Sequence, residues 1–317
     1  MPRLPAPPGH VPADVPGLHA AVLSWYAEHA RDLPWRRPGT DAWGVLVSEV
    51  MLQQTPVVRV EPAWRAWTAR WPRPADLADA DPAEVLRAWD RLGYPRRALR
   101  LQACARELVA RHAGEVPQTT EELLALPGVG PYTAAAVIAF AHRGRAVVLD
   151  TNVRRVLGRV VQGVALPAPS LTRAEHTLAA ELLPADPERS VRWNVGVMEL
   201  GALVCRARAP RCPSCPVLDR CAWTLAGRPP DEHAGRRRTQ PWHGTDRQAR
   251  GRVLAELRAT EGTVDGARLR RAATLSASGD PHQPARALAS LLSDGLVEEH
   301  APDRFRLPRS GEGYCPA

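Results

Sequence analysis

The chain contains no lysine: all 42 of its basic Lys-plus-Arg positions are arginine. Without a side-chain amine no side chain can form a Schiff base, so every mechanism that needs a catalytic Lys is excluded. Long apolar runs are missing as well. The N-terminal stretch is rich in proline (Pro2, Pro5, Pro7, Pro8, Pro12, Pro16) and has no apolar core, which excludes a signal peptide or a membrane span there. Strand-like alternation is nearly absent before residue 230, which argues against a sheet-based body. Cysteine is sparse and uneven. Cys205, Cys212, Cys215 and Cys221 stand close together, whereas Cys104 and Cys315 stand alone. Such clustering in a long chain points to metal ligation and not to a disulfide framework, and the expectation is a soluble protein of a reducing cytoplasm.

What is present fits a packed, anion-binding protein. A chain of 317 residues divides into two or three domains, and 44% hydrophobic residues suffice for ordinary cores. A net charge of +8 and a pI near 9.8 favour an anionic partner, with nucleic acid the usual one. Helical spacing predicts helices over 17–30, 43–53, 57–70, 82–91, 96–112, 119–125, 172–183 and 188–204, with Pro and Gly between them. The body is therefore expected to be all-α. Residues 1–16 read as a disordered leader, 17–225 as the core and 226–245, polar and Pro-rich, as a linker. Residues 246–309 read as three helices and a hairpin, a small winged-helix-like module, and 310–317 as a tail.

Four features carry chemistry. Glu49 sits in VSEVMLQQTP, within a helix that is apolar nearly all round. A carboxyl group buried there has a raised pKa and can act as a general acid; the alternative is a Glu paired with one of the many arginines. In LPGVGPYTAAAVIA a turn holding Gly128, Val129 and Gly130 leads into a helix opened by Pro131. That makes either an anion site at a helix N-terminus or an ordinary helix–helix turn. Asp150 precedes TNVRRVLGRVV and is placed to cap that helix, where it is expected to be ionised with a depressed pKa. The cysteines follow C-x6-C-x2-C-x5-C, able to hold a [4Fe–4S] cluster or a zinc ion; a single C-x2-C pair favours the cluster. Arg206, Arg208 and Arg211 lie between the first two cysteines, in position for phosphates.

LPGVGPYTA, LDTNVRRV and the four cysteines, in that order, resemble the helix-hairpin-helix DNA glycosylases of the endonuclease III type over about residues 17–225. VSEVMLQQT, LGYPRRALRL and MELGALVC are similar to the MutY type, the adenine DNA glycosylases. Endonuclease III carries a Lys where this chain has Tyr132, and it lacks Glu49. The resemblance implies a two-lobed fold: a six-helix barrel (31–139) and an iron–sulfur cluster lobe (17–30 with 140–225), with Glu49 and Asp150 facing each other across the DNA groove. It implies excision of adenine opposite 8-oxoguanine or guanine in double-stranded DNA by a nucleoid-associated monomer, without efficient strand cleavage. Tyr132 and Asn152 would support the catalytic pair. Arg31, Trp35 and Arg36 would help line the adenine pocket, Gln54 and Tyr94 would wedge into the duplex, Thr55 and Leu92 would lie near the opposite base, and Gln53 with the Gly128–Val129–Gly130 turn would also contact the DNA. Two departures stand out. Val195 follows Asn194 where the family often has Glu or Gln, and the tail is too short for the nudix-like domain common in the family. The alternatives are a thymine mismatch glycosylase of the same superfamily and a non-catalytic iron–sulfur protein that binds DNA or senses redox state.

Overall fold

The computed structural model describes residues 14–237 and 242–310; most of the leader, part of the linker and nearly all of the tail therefore lie outside the described residues. Fifteen helices are described: α1 Val15–His29, α2 Ala42–Leu52, α3 Val57–Arg70, α4 Pro74–Ala78, α5 Pro82–Trp89, α6 Arg96–His112, α7 Thr120–Ala125, α8 Pro131–Phe140, α9 Thr151–Leu157, α10 Arg173–Leu182, α11 Pro187–Leu203, α12 Ala222–Leu225, α13 Asp246–Arg258, α14 Gly266–Ala273 and α15 Gln283–Ser293. The strands are β1 Val264–Asp265, β2 Glu298–Ala301 and β3 Arg304–Arg306. The all-α expectation holds for the body. No described helix is long and apolar enough to cross a membrane.

The chain forms two compact units: residues 14–40, 118–120 and 130–237, and residues 41–117, 121–129 and 242–310. In the first, α1, α9, α10 and α11 enclose a core of Leu18, Val22, Trp25, Val156, Leu178, Trp193 and Leu200. Local chemistry sets the helix starts. Thr172 and Glu175 form a capping box at α10, and Asp186 caps α11 before a proline in its first turn.

The second unit is built on tryptophan. Trp67 meets Trp71 and Trp89 edge to face, with centroids 4.6 and 5.5 Å apart. The indoles of Trp43, Trp64 and Trp89 donate to the carbonyls of Trp71, Gly44 and Gly93, so they fix loops as well as fill space. Gln102, wholly buried, donates to the carbonyls of Leu77 and Ala80 and thereby ties α4 to α6. The same unit contains the C-terminal segment. There α13–α15 pack around Val253, Leu257, Leu269 and Leu291, and a three-stranded antiparallel sheet of order β1-β3-β2 pairs Val264 with Phe305. β1 was not foreseen. Two residues carry no period of their own, and this strand exists only by pairing with a partner far along the chain.

Candidate functional site

In the second unit Glu49 lies in α2, where every residue from Trp43 to Met51 is buried, and Glu49 itself is 5% exposed. The apolar helix inferred from the sequence thus does remove this carboxyl group from water. The carbonyls at the end of α2 need donors, and α2 has no basic residue in its last turn. Arg97 of α6 supplies them. Its Nη1 donates to the Val50 and Met51 carbonyls at 2.7 and 3.0 Å. Its Nη2 donates to Thr55 Oγ1 and to the Leu92 and Gly93 carbonyls at 2.9, 3.3 and 3.1 Å. Burial pushes the Arg97 guanidinium down to about 10, so it still carries its charge at neutral pH.

Around this one group several of the expected DNA-contacting residues collect. The Thr55 hydroxyl donates to the Leu92 carbonyl at 3.0 Å and to the Gln53 carbonyl at 3.3 Å, and the Tyr94 ring lies 5.5 Å from the Arg97 Cζ. Thr55 and Leu92 are buried, whereas Gln54 and Tyr94 are exposed. Gln54 and Tyr94 also adopt left-handed backbone, at φ +56° and +48°, a strain uncommon outside glycine that gathers at functional sites. In the turn after α7, Gly128 has φ +79°, and a Cβ there would stand 3.1 Å from the Arg100 Cβ, so glycine is required. The Val129 side chain is buried, and its amide donates to the Leu126 carbonyl. Gly130 then caps α8 with backbone alone.

In the first unit Asp150 caps α9 as expected: its Oδ1 accepts from the Val153 amide at 2.7 Å. The Asn152 side chain donates to the other oxygen, also at 2.7 Å. The expected depressed pKa is a correction. Burial pushes Asp150 above the usual carboxylate range, and the bonds from Val153 and Asn152 and the charge of Arg155 only partly offset it. Asn152 is held in turn. Its Oδ1 accepts from Arg155 at 2.7 Å, and Arg155 also donates to the carbonyls of Gly201 and Cys205 at 2.8 and 2.7 Å. Gly201 is needed here, because a Cβ would come within 2.7 Å of the Asn152 Cβ. Tyr132, half-buried, packs on the small cluster of Ala136, Ala139 and Val148.

Arg31 and Arg36, expected near adenine, share Glu199 of α11, whose side chain is wholly buried. Arg31 Nε and Nη2 donate to its two oxygens at 2.5 and 2.9 Å, and Arg36 donates at 3.0 Å. Burial raises the Glu199 pKa, but the two guanidiniums outweigh it and hold this carboxyl below the usual range. Trp35 is buried between them in sequence. Glu199, Arg97 and Arg155 were not singled out from the sequence. A buried Arg is spelled like a surface one, and only the MELGALVC segment drew attention to α11.

All four clustered cysteines line one cavity, together with Arg159, Leu200, Val204, Leu218 and Trp223. Arg159 donates to the Cys205 Sγ at 3.4 Å and to the Arg206 carbonyl at 2.8 Å. Among the described residues no three His, Cys, Asp or Glu side chains converge closely enough to hold a single metal ion. Cys104 is buried apart in α6, where burial pushes its thiol up to about 12, and Cys315 lies outside the described residues. Val195, where the family often has a polar residue, is buried in α11.

Residues 47–180 match the family model described as "HhH-GPD superfamily base excision DNA repair protein". The adenine DNA glycosylase of Mycolicibacterium smegmatis is 52% identical over 296 residues, covering 93% of this chain and 98% of that one. The human adenine DNA glycosylase is 43% identical over 217 residues, 66% of this chain and 40% of its own length. Among solved structures, a thermostable thymine-DNA glycosylase superposes with a TM-score of 0.59 at 27% identity, covering 66% of this chain and 96% of that one.

Proposed function

The chain belongs to the adenine DNA glycosylases of the HhH-GPD superfamily of base excision DNA repair proteins, and from that premise we propose that it excises adenine opposite 8-oxoguanine or guanine by hydrolysis alone. Removal of adenine from DNA in base excision repair is its activity; the opposite base and the absence of strand cleavage are the proposal.

Adenine leaves poorly as an anion, so the base must be protonated as its bond to the sugar breaks. We assign that proton to Glu49, since a carboxyl group in an apolar helix holds its proton more readily than one in water. Positive charge then grows on the deoxyribose, and an ionised Asp150 is assigned to stabilise it. The Val153 and Asn152 donors orient its oxygens in advance. A carboxylate with a raised pKa is also the more basic anion once formed. Adenine must leave the helical stack to be reached, which gives Gln54 and Tyr94 their role as wedges, with Gln53, Thr55 and Leu92 beside them. Arg31, Trp35 and Arg36, set by Glu199, are assigned to the base. Tyr132 fills the place of the Lys in endonuclease III, and with no lysine in the chain no side-chain amine can drive strand cleavage.

Kinship with the endonuclease III and MutY families suggests an iron–sulfur cluster. The proposed group is [4Fe–4S], held by Cys205, Cys212, Cys215 and Cys221. The donor set fits in kind: all four cysteines line one cavity, and four thiolates are the ligands such a cluster takes. A bound cluster would cross-link the segment carrying Arg208 and Arg211, both exposed and assigned to DNA phosphates. The proposal extends to a cytoplasmic, nucleoid-associated monomer, to a barrel at 31–139 with a cluster lobe at 17–30 and 140–225, and to a winged-helix-like module at 246–309.

The observation that carries the reading is a pair of carboxyls withdrawn from water, Glu49 at 5% exposure in α2 and Asp150 held by two N–H donors. The test is base release from duplexes bearing adenine opposite 8-oxoguanine, adenine opposite guanine and thymine opposite guanine. Free adenine from the first two, with strand breaks only after alkali, is expected. Thymine release, or no release at all, overturns it.

A further inference from the structure

Within the second unit the C-terminal segment is fastened to the loop that follows α5. Arg258 of α13 donates to the Asp90 carbonyl at 2.6 Å, and Arg87 of α5 donates to the Thr260 carbonyl at 3.3 Å. Arg96 and Arg250 converge on Asp294 at 3.1 and 2.5 Å. The loop itself is strained, with Asp90 at φ +40° and Tyr94 at +48°, so these contacts brace a conformation the chain would not hold unaided.

The same fastening builds a surface. Arg247, the second residue of α13, places its Cζ 4.6 Å from the Tyr94 ring centroid and 5.4 Å from that of Trp242. Both rings face solvent, Tyr94 at 39% and Trp242 at 48% exposure. Other arginines of this segment are spent on carboxylates: Arg250 on Asp294, Arg268 on Glu256, Arg270 on Asp303 and Arg286 on Asp246 and Asp280. Arg247 has no carboxylate partner among the described residues, and neither does Arg91 on the adjoining loop. Two exposed aromatic rings bridged by one unneutralised guanidinium cost solvation in the free protein. A planar, anionic partner repays it, since an unstacked base lies on such rings and a phosphate takes the charge.

We propose that Trp242 and Arg247 extend the DNA-binding surface from Tyr94 into the C-terminal module, Trp242 stacking on a base and Arg247 neutralising a backbone phosphate. The inference rests on the reading of the chain as a DNA glycosylase, and it gives the short module a direct contact with the substrate.

The experiment measures binding of the full-length protein to a duplex with a tetrahydrofuran abasic site opposite 8-oxoguanine, by fluorescence anisotropy across a salt series. Trp242→Ala and Arg247→Ala are each expected to weaken binding roughly tenfold. Arg247→Ala should also flatten the slope of log affinity against log salt by about 0.9, the signature of one lost phosphate contact, while Trp242→Ala leaves the slope unchanged. Arg247→Lys should keep the slope and Trp242→Phe the affinity. Variants that bind within about twofold of wild type with unaltered slopes overturn the proposal, as does affinity loss that merely follows a lowered melting temperature. Adenine release by the wild type separates the two readings. If it is absent, the assigned activity fails; if it is present while the variants bind normally, only the platform fails.

Discussion

Replacing Arg97 with Met tests how far one guanidinium organises the turns of the second unit that are proposed to meet DNA. Met keeps much of the side chain's apolar length but removes every donor. Five acceptors lose a bond; the Leu92 and Gly93 carbonyls keep the Thr55 hydroxyl and the Trp89 indole, whereas the carbonyls of Val50 and Met51 and the hydroxyl oxygen of Thr55, all on buried residues, lose the Arg97 donor. A buried acceptor left unsatisfied costs about 1–3 kcal/mol, which puts the three together at about 4 kcal/mol, in the lower part of the range that three such groups span. Relief of the buried charge and of strain at Gln54 and Tyr94 returns part of it, so a net loss of about 3 kcal/mol is expected. Trp43, Trp64, Trp67, Trp71 and Trp89 all lie in this unit, so tryptophan fluorescence in a urea titration reports chiefly on it. Adenine release should fall by roughly ten- to a hundredfold as the strained turns relax, a cost of about 1.4 kcal/mol per decade. A stability loss below about 1 kcal/mol with release unchanged would refute this view of Arg97.

Glu49→Gln should lower single-turnover adenine release by at least about a hundredfold, the usual weight of a general acid, while duplex binding stays near wild type; undiminished release removes the acid from the mechanism. The acid limb of the rate profile should lie above the ordinary carboxylate range, because Asp150 must lose its proton and burial has raised its pKa. Asn152→Ala deletes a bond that favours the ionised form and should move that limb to higher pH; a shift downwards contradicts the assignment. Since the raised pKa means that ionised Asp150 opposes folding, Asp150→Asn should stabilise the protein at neutral pH. The gain should fade as pH falls through the folded-state pKa, which paired thermal melts at neutral and acid pH would check. Pure protein should be brown, with roughly four irons per chain and broad visible absorption; Cys212→Ser should bleach it and Cys104→Ser should not. A colourless protein with one zinc overturns the iron–sulfur assignment.

Much of the fold was legible because proline and glycine mark its joints. The bounds of α3 and α6 follow from Pro56 and Pro95 ahead of them, and α8 opens at Pro131 as its sequence indicates. The five residues of α4 span too little for a period to show. At the site, the burial of Glu49 could be read from its apolar neighbours, because enclosure by one's own helix is a local property. The environment of Asp150 could not. Its cap is written in the next three residues, but its loss of solvation is a property of the folded chain, and that effect reverses the direction expected from the helix terminus. The arginines show the same limit. Nothing in the sequence separates Arg97 and Arg155, which are buried and hydrogen-bonded to several carbonyls, from Arg91 and Arg247, which face solvent.

In the proposed mechanism Asp150 serves two masters with the same pair of atoms. The oxygen that anchors the opening turn of α9 through the Val153 amide, and its twin gripped by Asn152, are the only ones it can present to a sugar bearing positive charge. Any electron density drawn toward that sugar is withdrawn from the turn, so the bond from the Val153 amide should slacken as the bond to adenine lengthens and tighten again on release. The progress of the reaction would then be written, reversibly, in the winding of seven residues.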